Sequence, residues 1–278
     1  MVAAEHTMLS PTLNIQGIDV FVEGDGPDTV VMLHGWPDTH RLWDGTVEAL
    51  KARYRCVRFT LPGFDLQRPA RAASLAQMVG LFEQIVTAVS PGRPVALLVH
   101  DWGCIFGYEF AARHPRRVAR IVAVDIGDYN TGALSRSLSA KAKWQVFGYQ
   151  FWLAVAWKLG GALGDRMTRW MARALRCRTE PSRIGWQMNY PYAMQWFGSH
   201  GGLGRAARVD PHCPVLYIYG QRKPFMFHSP QWLQRLASRP GSKVQAFATG
   251  HWVMVQQPAG FNACVSDWLA QGGAPPGA

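Results

Sequence analysis

Acidic residues are scarce in this chain. Eighteen Asp and Glu stand against 29 Lys and Arg, and charged residues of both signs make up only 17%. Hydrophobic residues reach 48%, which excludes a disordered polyelectrolyte and promises a sizeable core. Cysteines 56, 104, 177, 213 and 264 are odd in number and show no Cys-x-x-Cys spacing. A disulfide framework or zinc knuckle is therefore not expected; reduced thiols in a cytoplasmic compartment are. The first residues lack a basic stretch followed by an apolar one, so no secretory leader is expected, and 272–278 reads as a flexible tail. Internal repeats and low-complexity tracts are missing too. A length of 278 residues then suits one large α/β domain, or one domain carrying a lid.

What is present begins with a charge imbalance. Between Tyr129 and Arg208 twelve basic residues face two acids, which accounts for ten of the eleven net positive charges. The rest of the chain is nearly neutral. A nucleic-acid protein with a spread basic face is not the expectation; one basic subregion is. Outside that region short apolar runs alternate with helical patterns. Runs 30–33, 55–59, 94–99, 121–124, 214–219 and 243–247 read as strands, and 75–89, 105–113 and 259–269 as helices. Such alternation means a mostly parallel sheet covered on both faces. Segment 129–208 breaks the rhythm and reads as a helical cap inserted into a core formed by 1–128 and 209–278. It would lie over the sheet's carboxyl edge, where open α/β folds bind ligands.

Three short motifs fall at that edge. Val99-His100-Asp101-Trp102-Gly103 sits between a buried strand and a helix, the setting of a nucleophile elbow, with a carboxylate where Ser or Cys is usual. Asp101 can attack saturated carbon to form an ester that water cleaves; the competing reading is a mere helix cap. Gly250-His251-Trp252 follows the last strand and offers a general base. His34-Gly35-Trp36-Pro37 ends an early strand, and its Trp36 N–H paired with that of Trp102 would make a two-donor oxyanion hole.

With these residues the chain resembles the α/β-hydrolase superfamily, and within it epoxide hydrolases and haloalkane dehalogenases, from about Leu13 to Leu269. The resemblance implies an α/β-hydrolase fold with a helical cap, and a triad of Asp101, an acid and His251. Many relatives carry the acid in a Gly-x-x-Asp turn after the strand 214–219. This chain has Gly220-Gln221-Arg222-Lys223 there, and a lysine cannot orient a histidine. Other relatives place the acid one strand earlier, 24 residues after the nucleophile, which is Asp125 here, with Asp128 as fallback. Epoxide hydrolases protonate the leaving oxygen with cap tyrosines. Tyr149, in Val146-Phe147-Gly148-Tyr149-Gln150, and Tyr192, or Tyr190, in Asn189-Tyr190-Pro191-Tyr192, resemble that pair. His34 and Tyr190 join Trp36 and Trp102 as expected oxyanion- or substrate-lining residues. Catalysis of this kind needs no metal or organic cofactor.

Dehalogenase features compete. Val99 stands where epoxide hydrolases usually carry Gly, whereas Trp36 replaces the Asn that many dehalogenases use for halide, and Trp102 argues against the fluoroacetate type. A third reading, a hydrolase fold kept as a binding protein, draws on Lys223, Val99 and the altered Gly63-Phe64-Asp65-Leu66-Gln67 turn. The implied partner is a small apolar epoxide, lipid-like if the cap meets a membrane, handled by a monomer or homodimer without nucleic acid. Arg166, Arg169, Arg173 and Arg176 share one helical face with the spacing of a basic amphipathic helix that could lie on an anionic surface. Segment 144–163 has about the length of a membrane span, but Gln145, Gln150, Lys158 and three glycines interrupt it. Solvated arginines on a cap helix are the plainer reading.

Overall fold

The computed structural model describes residues 10–271; the expectations for the first residues and for 272–278 fall outside them. Eight strands form one sheet: β1 (Leu13–Ile15), β2 (Ile18–Glu23), β3 (Asp28–Leu33), β4 (Tyr54–Phe59), β5 (Val95–His100), β6 (Val118–Val124), β7 (Val215–Gly220) and β8 (Lys243–Phe247). Helices α1 (Asp44–Leu50), α2 (Leu75–Val89), α3 (Trp102–Arg113), α4 (Gly132–Ser137), α5 (Ala140–Leu159), α6 (Gly161–Ala174), α7 (Tyr190–Phe197), α8 (Pro230–Ala237), α9 (Val253–Gln256) and α10 (Pro258–Ala270) accompany them.

The strand order is β1-β2-β4-β3-β5-β6-β7-β8. From β4 to β8 every pairing is parallel, whereas β1 and β2 run antiparallel, which the alternation in the sequence did not signal. β5 is the strand buried at every position, as a continuous apolar run in a sheet covered on both faces must be. One apolar layer joins α2 and α3 to the sheet and reaches up to α5, α6 and α7; the other joins α1 and α10 to the opposite face. α2 starts at a capping box: the Gln77 N–H donates to the Ser74 hydroxyl and the Ser74 N–H to the Gln77 side chain.

β3 connects outward to β4 on one side and β5 outward to β6 on the other, so the loops leaving the carboxyl ends of these two parallel strands diverge and open a crevice there. Between β6 and β7 the regular elements are helical throughout, from α4 to α7. α5 is capped by Ser139 and stops at Gly160, whose φ of 62° is left-handed; α6 then folds back. The span-length stretch 144–163 is thus a helical hairpin, and no helix among the described residues is long and apolar enough to cross a membrane. The basic helix is also redrawn. It starts at Gly161 and ends at Ala174, so Arg176, at φ 58°, lies beyond it.

Candidate active site

Asp101 stands at the tip of β5 with φ 53° and ψ −123°, a strained backbone for any residue with a Cβ. Two glycines allow it. A Cβ on Gly103 would fall 2.5 Å from the Leu33 carbonyl oxygen, and one on Gly35 would fall 2.5 Å from the Trp102 nitrogen and closer still to the Asp101 carboxylate. Because both are glycine, the loop after β3 and the first turn of α3 close on Asp101, and the Trp36 N–H donates to Asp101 Oδ1 at 2.7 Å.

His251 lies in the loop after β8. Its Nε2 is 3.4 Å from Asp101 Oδ2, and its Nδ1 meets Asp125 Oδ2 in a short hydrogen bond. Asp125 follows β6 at φ 73° and is fully buried. Its second oxygen accepts from the Gly220 N–H at 3.1 Å and from the Lys223 ammonium. Lys223 reaches it because the loops after β7 and β8 touch, with the Arg222 N–H donating to the Thr249 carbonyl at 2.7 Å. Two carboxylates are thus interleaved with two cationic side chains. His100, buried beneath, sets its ring 4.4 Å from that of His251 at a 44° tilt and donates from Nε2 to the His251 carbonyl at 3.2 Å. It sits in the elbow motif, yet nothing in the sequence signalled this contact.

The charges follow from these contacts. Burial pushes the Asp101 carboxyl up, but the His251 hydrogen bond and charge, with the Trp102 N–H, hold it below the usual carboxylate range. Burial likewise opposes ionisation of Asp125 and loses to the charges of Lys223 and His251. Burial would lower His251, but Asp125 and Asp101 raise it to about 9, so the resting imidazole is protonated at neutral pH. His100, desolvated and facing that imidazolium, falls to about 3 and stays neutral.

A cavity of about 570 Å³ opens above these groups, a size suited to a small organic ligand. Asp101, His251, Trp36, Tyr149, Tyr192 and Lys223 line it, with Phe225, Phe227 and Trp252 from the core. The Tyr149 hydroxyl accepts from the Gln150 side chain at 3.0 Å. Burial raises Tyr149 and Tyr192 well above the ordinary phenol range, and the Asp101 charge adds to it, so both remain protonated donors. Tyr192 packs edge-on against Trp102 and Trp36, at 5.1 and 5.9 Å between ring centres.

Several expected site residues stand elsewhere. His34 does not reach the cavity: Nδ1 donates to the Gly35 carbonyl and Nε2 accepts the Leu61 N–H at 2.9 Å, so both ring nitrogens serve the backbone. Tyr190 packs on Phe64 at 6.1 Å and against Gly63, away from the lining. Asp128 is spent on the Ser229 N–H and the Ser229 and Thr131 hydroxyls. The Trp36 indole N–H is taken by Asn189 Oδ1 at 2.8 Å. Gln145, Leu175 and Arg176 line the cavity without having been singled out for it, because their spacing marks only helix faces. Among the described residues no group of three or more His, Cys, Asp or Glu could hold a metal ion.

Residues 28–258 match the family model described as alpha/beta hydrolase fold. The chain is 42% identical over 101 residues to "Probable oxidoreductase EphD" of Mycobacterium tuberculosis, a stretch covering 34% of this chain and 17% of that protein. It is 29% identical over 153 residues to a cis-3-alkyl-4-alkyloxetan-2-one decarboxylase of Xanthomonas campestris, covering 51% of this chain and 49% of that one. The chain therefore matches less than half the length of these curated relatives. An epoxide hydrolase of Bacillus megaterium, solved with an inhibitor, superposes over 93% of this chain and 99% of its own, with a TM-score of 0.69 at 19% identity.

Proposed function

The chain belongs to the α/β-hydrolase fold family, and from that membership we propose that it is a hydrolase opening epoxides to vicinal diols through an ester on Asp101. The observation that carries this reading is the pair of protonated phenols, Tyr149 and Tyr192, lining the same cavity as the Asp101 carboxylate. An epoxide leaves as an alkoxide and needs a proton donor. Halide needs N–H donors instead, and the Trp36 indole is already bound to Asn189.

The protons balance over two half-reactions. Asp101 forms a C–O bond to one ring carbon, the ring C–O bond breaks, and a cap tyrosine gives its proton to the departing oxygen. The ester carries no charge, so His251 loses one of the two carboxylates that hold its proton and passes that proton on to the tyrosinate. Neutral His251, its tautomer fixed by Asp125 at Nδ1, then takes a proton from water attacking the Asp101 carbonyl carbon. The N–H groups of Trp36 and Trp102 hold the oxyanion. Collapse expels the diol with the remaining water proton and restores carboxylate and imidazolium. One carboxylate oxygen of Asp101 leaves in the product.

A second reading comes from the Xanthomonas relative, whose name specifies a four-membered oxygen ring. The same carboxylate would attack the oxetanone carbon bonded to the ring oxygen, that C–O bond would break to free the substrate carboxylate, and loss of carbon dioxide would expel Asp101 as the alkene forms. Intact-mass measurement of His251→Gln soaked with epoxides, haloalkanes and an oxetanone separates these readings. Removing the base stalls the second half-reaction, slowing turnover about 10²- to 10⁴-fold. An added mass equal to the whole epoxide, absent in an Asp101→Asn double variant, is the expected result. An alkyl adduct with free halide, or an alkene from the oxetanone alone, would replace it.

A further inference from the structure

Among the described residues, most of the exposed large apolar side chains lie on the helical insertion. Trp144 is 73% exposed, Leu163 56%, Leu159 54% and Trp170 53%. Such groups lose free energy in water unless something covers them. Their placement is continuous. Trp170 on α6 packs 5.1 Å from Trp152 on α5, and the Trp152 indole N–H donates to the Met167 carbonyl, which fixes the two outer faces as one surface.

Cations interleave with them. Along α6 the exposed stripe reads Leu163, Arg166, Trp170, Arg173. Among the described residues neither Arg166 nor Arg173 has an acidic partner, whereas Arg169 turns inward to the Pro181 and Ile184 carbonyls and to Asp165. Asp165 is one of only two acids between Tyr129 and Arg208, and it is occupied by that contact and by the Trp186 N–H.

We propose that the outer face of α5 and α6 docks on an anionic lipid bilayer. Leu163, Trp170 and Trp152 enter the boundary between headgroups and acyl chains, and Arg166 and Arg173 pair with headgroup phosphates. Charge selects this occupant. A second copy joined by a two-fold axis would bring the same arginines together with no free carboxylate to meet them. A nucleic acid would satisfy the arginines but leave the aliphatic Leu159 and Leu163 in water. The cavity mouth meets this surface: Gln145 and Leu175 are exposed and also line the cavity. A docked molecule would therefore draw an apolar ligand from the bilayer. The docking surface is read from the outer face alone and does not depend on which ring Asp101 opens.

The test is flotation of the whole chain with vesicles of phosphatidylcholine mixed with phosphatidylglycerol. Binding is expected at low ionic strength, to be lost in high salt and to be missing with phosphatidylcholine alone. Leu163→Gln with Trp170→Gln should weaken binding about tenfold or more without lowering the melting temperature. Because Trp170 also packs on Trp152 of α5, tryptophan quenching by brominated acyl chains in the unaltered protein is the independent readout, and quenching is expected. Failure to float at low salt would overturn the proposal. So would flotation without quenching and indifferent to the double substitution, tight binding of a short RNA that excludes the vesicles, or a dimer whose contact covers Trp170.

Discussion

Lys223 and His251 share one buried acid. Buried Asp125 meets Lys223 on one oxygen and His251 on the other. Lys223 thus shares Asp125 with the imidazole and weakens its hold on the His251 proton. Lys223→Met should leave Asp125 tied more tightly to His251. The pH midpoint for ester hydrolysis is expected to rise by about one unit, slowing deacylation up to about tenfold at pH values below that midpoint. Stability should fall by about 1–3 kcal/mol, because Asp125 keeps its other partners. Deacylation rates against pH check this; an unchanged profile would leave Lys223 with packing only. His251 gives the matching stability sign. Its pKa is raised to about 9, so its contribution is complete below its unfolded pKa near 6.5 and is lost as pH climbs through about 9. The sequence pointed to Asp101 and His251 by their places after β5 and β8, and to Asp125 by its resemblance to relatives with the acid 24 residues on. It was blind to His34 and Tyr190 turning away, since the hydrogen bonds that direct them come from distant backbone.

Elements were legible where burial was one-sided or total. α2 and β8 have the bounds their periodicity gave, and β5 reads as a strand because both faces are covered. β1 and β2 were missed for a local reason. They are joined at Gln16 and Gly17, both at positive φ, and Gln is not the Asn or Asp that flags such a turn. The elbow is an element-scale device as well, since two glycines bring the loop after β3 and the start of α3 within reach of Asp101. Gly35→Ala tests that closeness. The added methyl would press first on the Asp101 side chain and the Trp102 backbone. A loss of about 1–3 kcal/mol in urea unfolding is expected. Hydrolysis of the proposed ester should fall about 10²-fold or more, because the Trp36 N–H is displaced from the place where it would hold the oxyanion. Wild-type ester hydrolysis in a folded Gly35→Ala protein would show that the hole tolerates a wider gap.

The helical insertion and the core are tied at a third carboxylate, far from Asp101 in sequence. Asp38, in the loop after β3, accepts the Thr179 hydroxyl at 2.6 Å through one oxygen and the Trp252 indole N–H at 2.8 Å through the other. Thr179 belongs to the insertion and Trp252 to the loop after β8, so one buried group links three distant stretches of chain. Burial raises Asp38 to about 6, and the two donors only partly offset it. The raised value fixes the sign: folding favours the protonated acid, so this contribution is complete below the unfolded pKa near 3.8 and is lost as pH rises through about 6. Above that point the charged carboxylate depends most on its donors. Thr179→Val removes one while nearly conserving volume, leaving a charged oxygen buried without a partner. The expected cost is about 1–3 kcal/mol at about pH 8 and clearly less at about pH 5, where the acid is neutral. Urea unfolding at both pH values measures the difference, and limited proteolysis near residue 179 should be faster at the higher pH. Equal costs would mean that Asp38 binds Thr179 as a neutral acid throughout, and that the insertion is held by its apolar contacts alone.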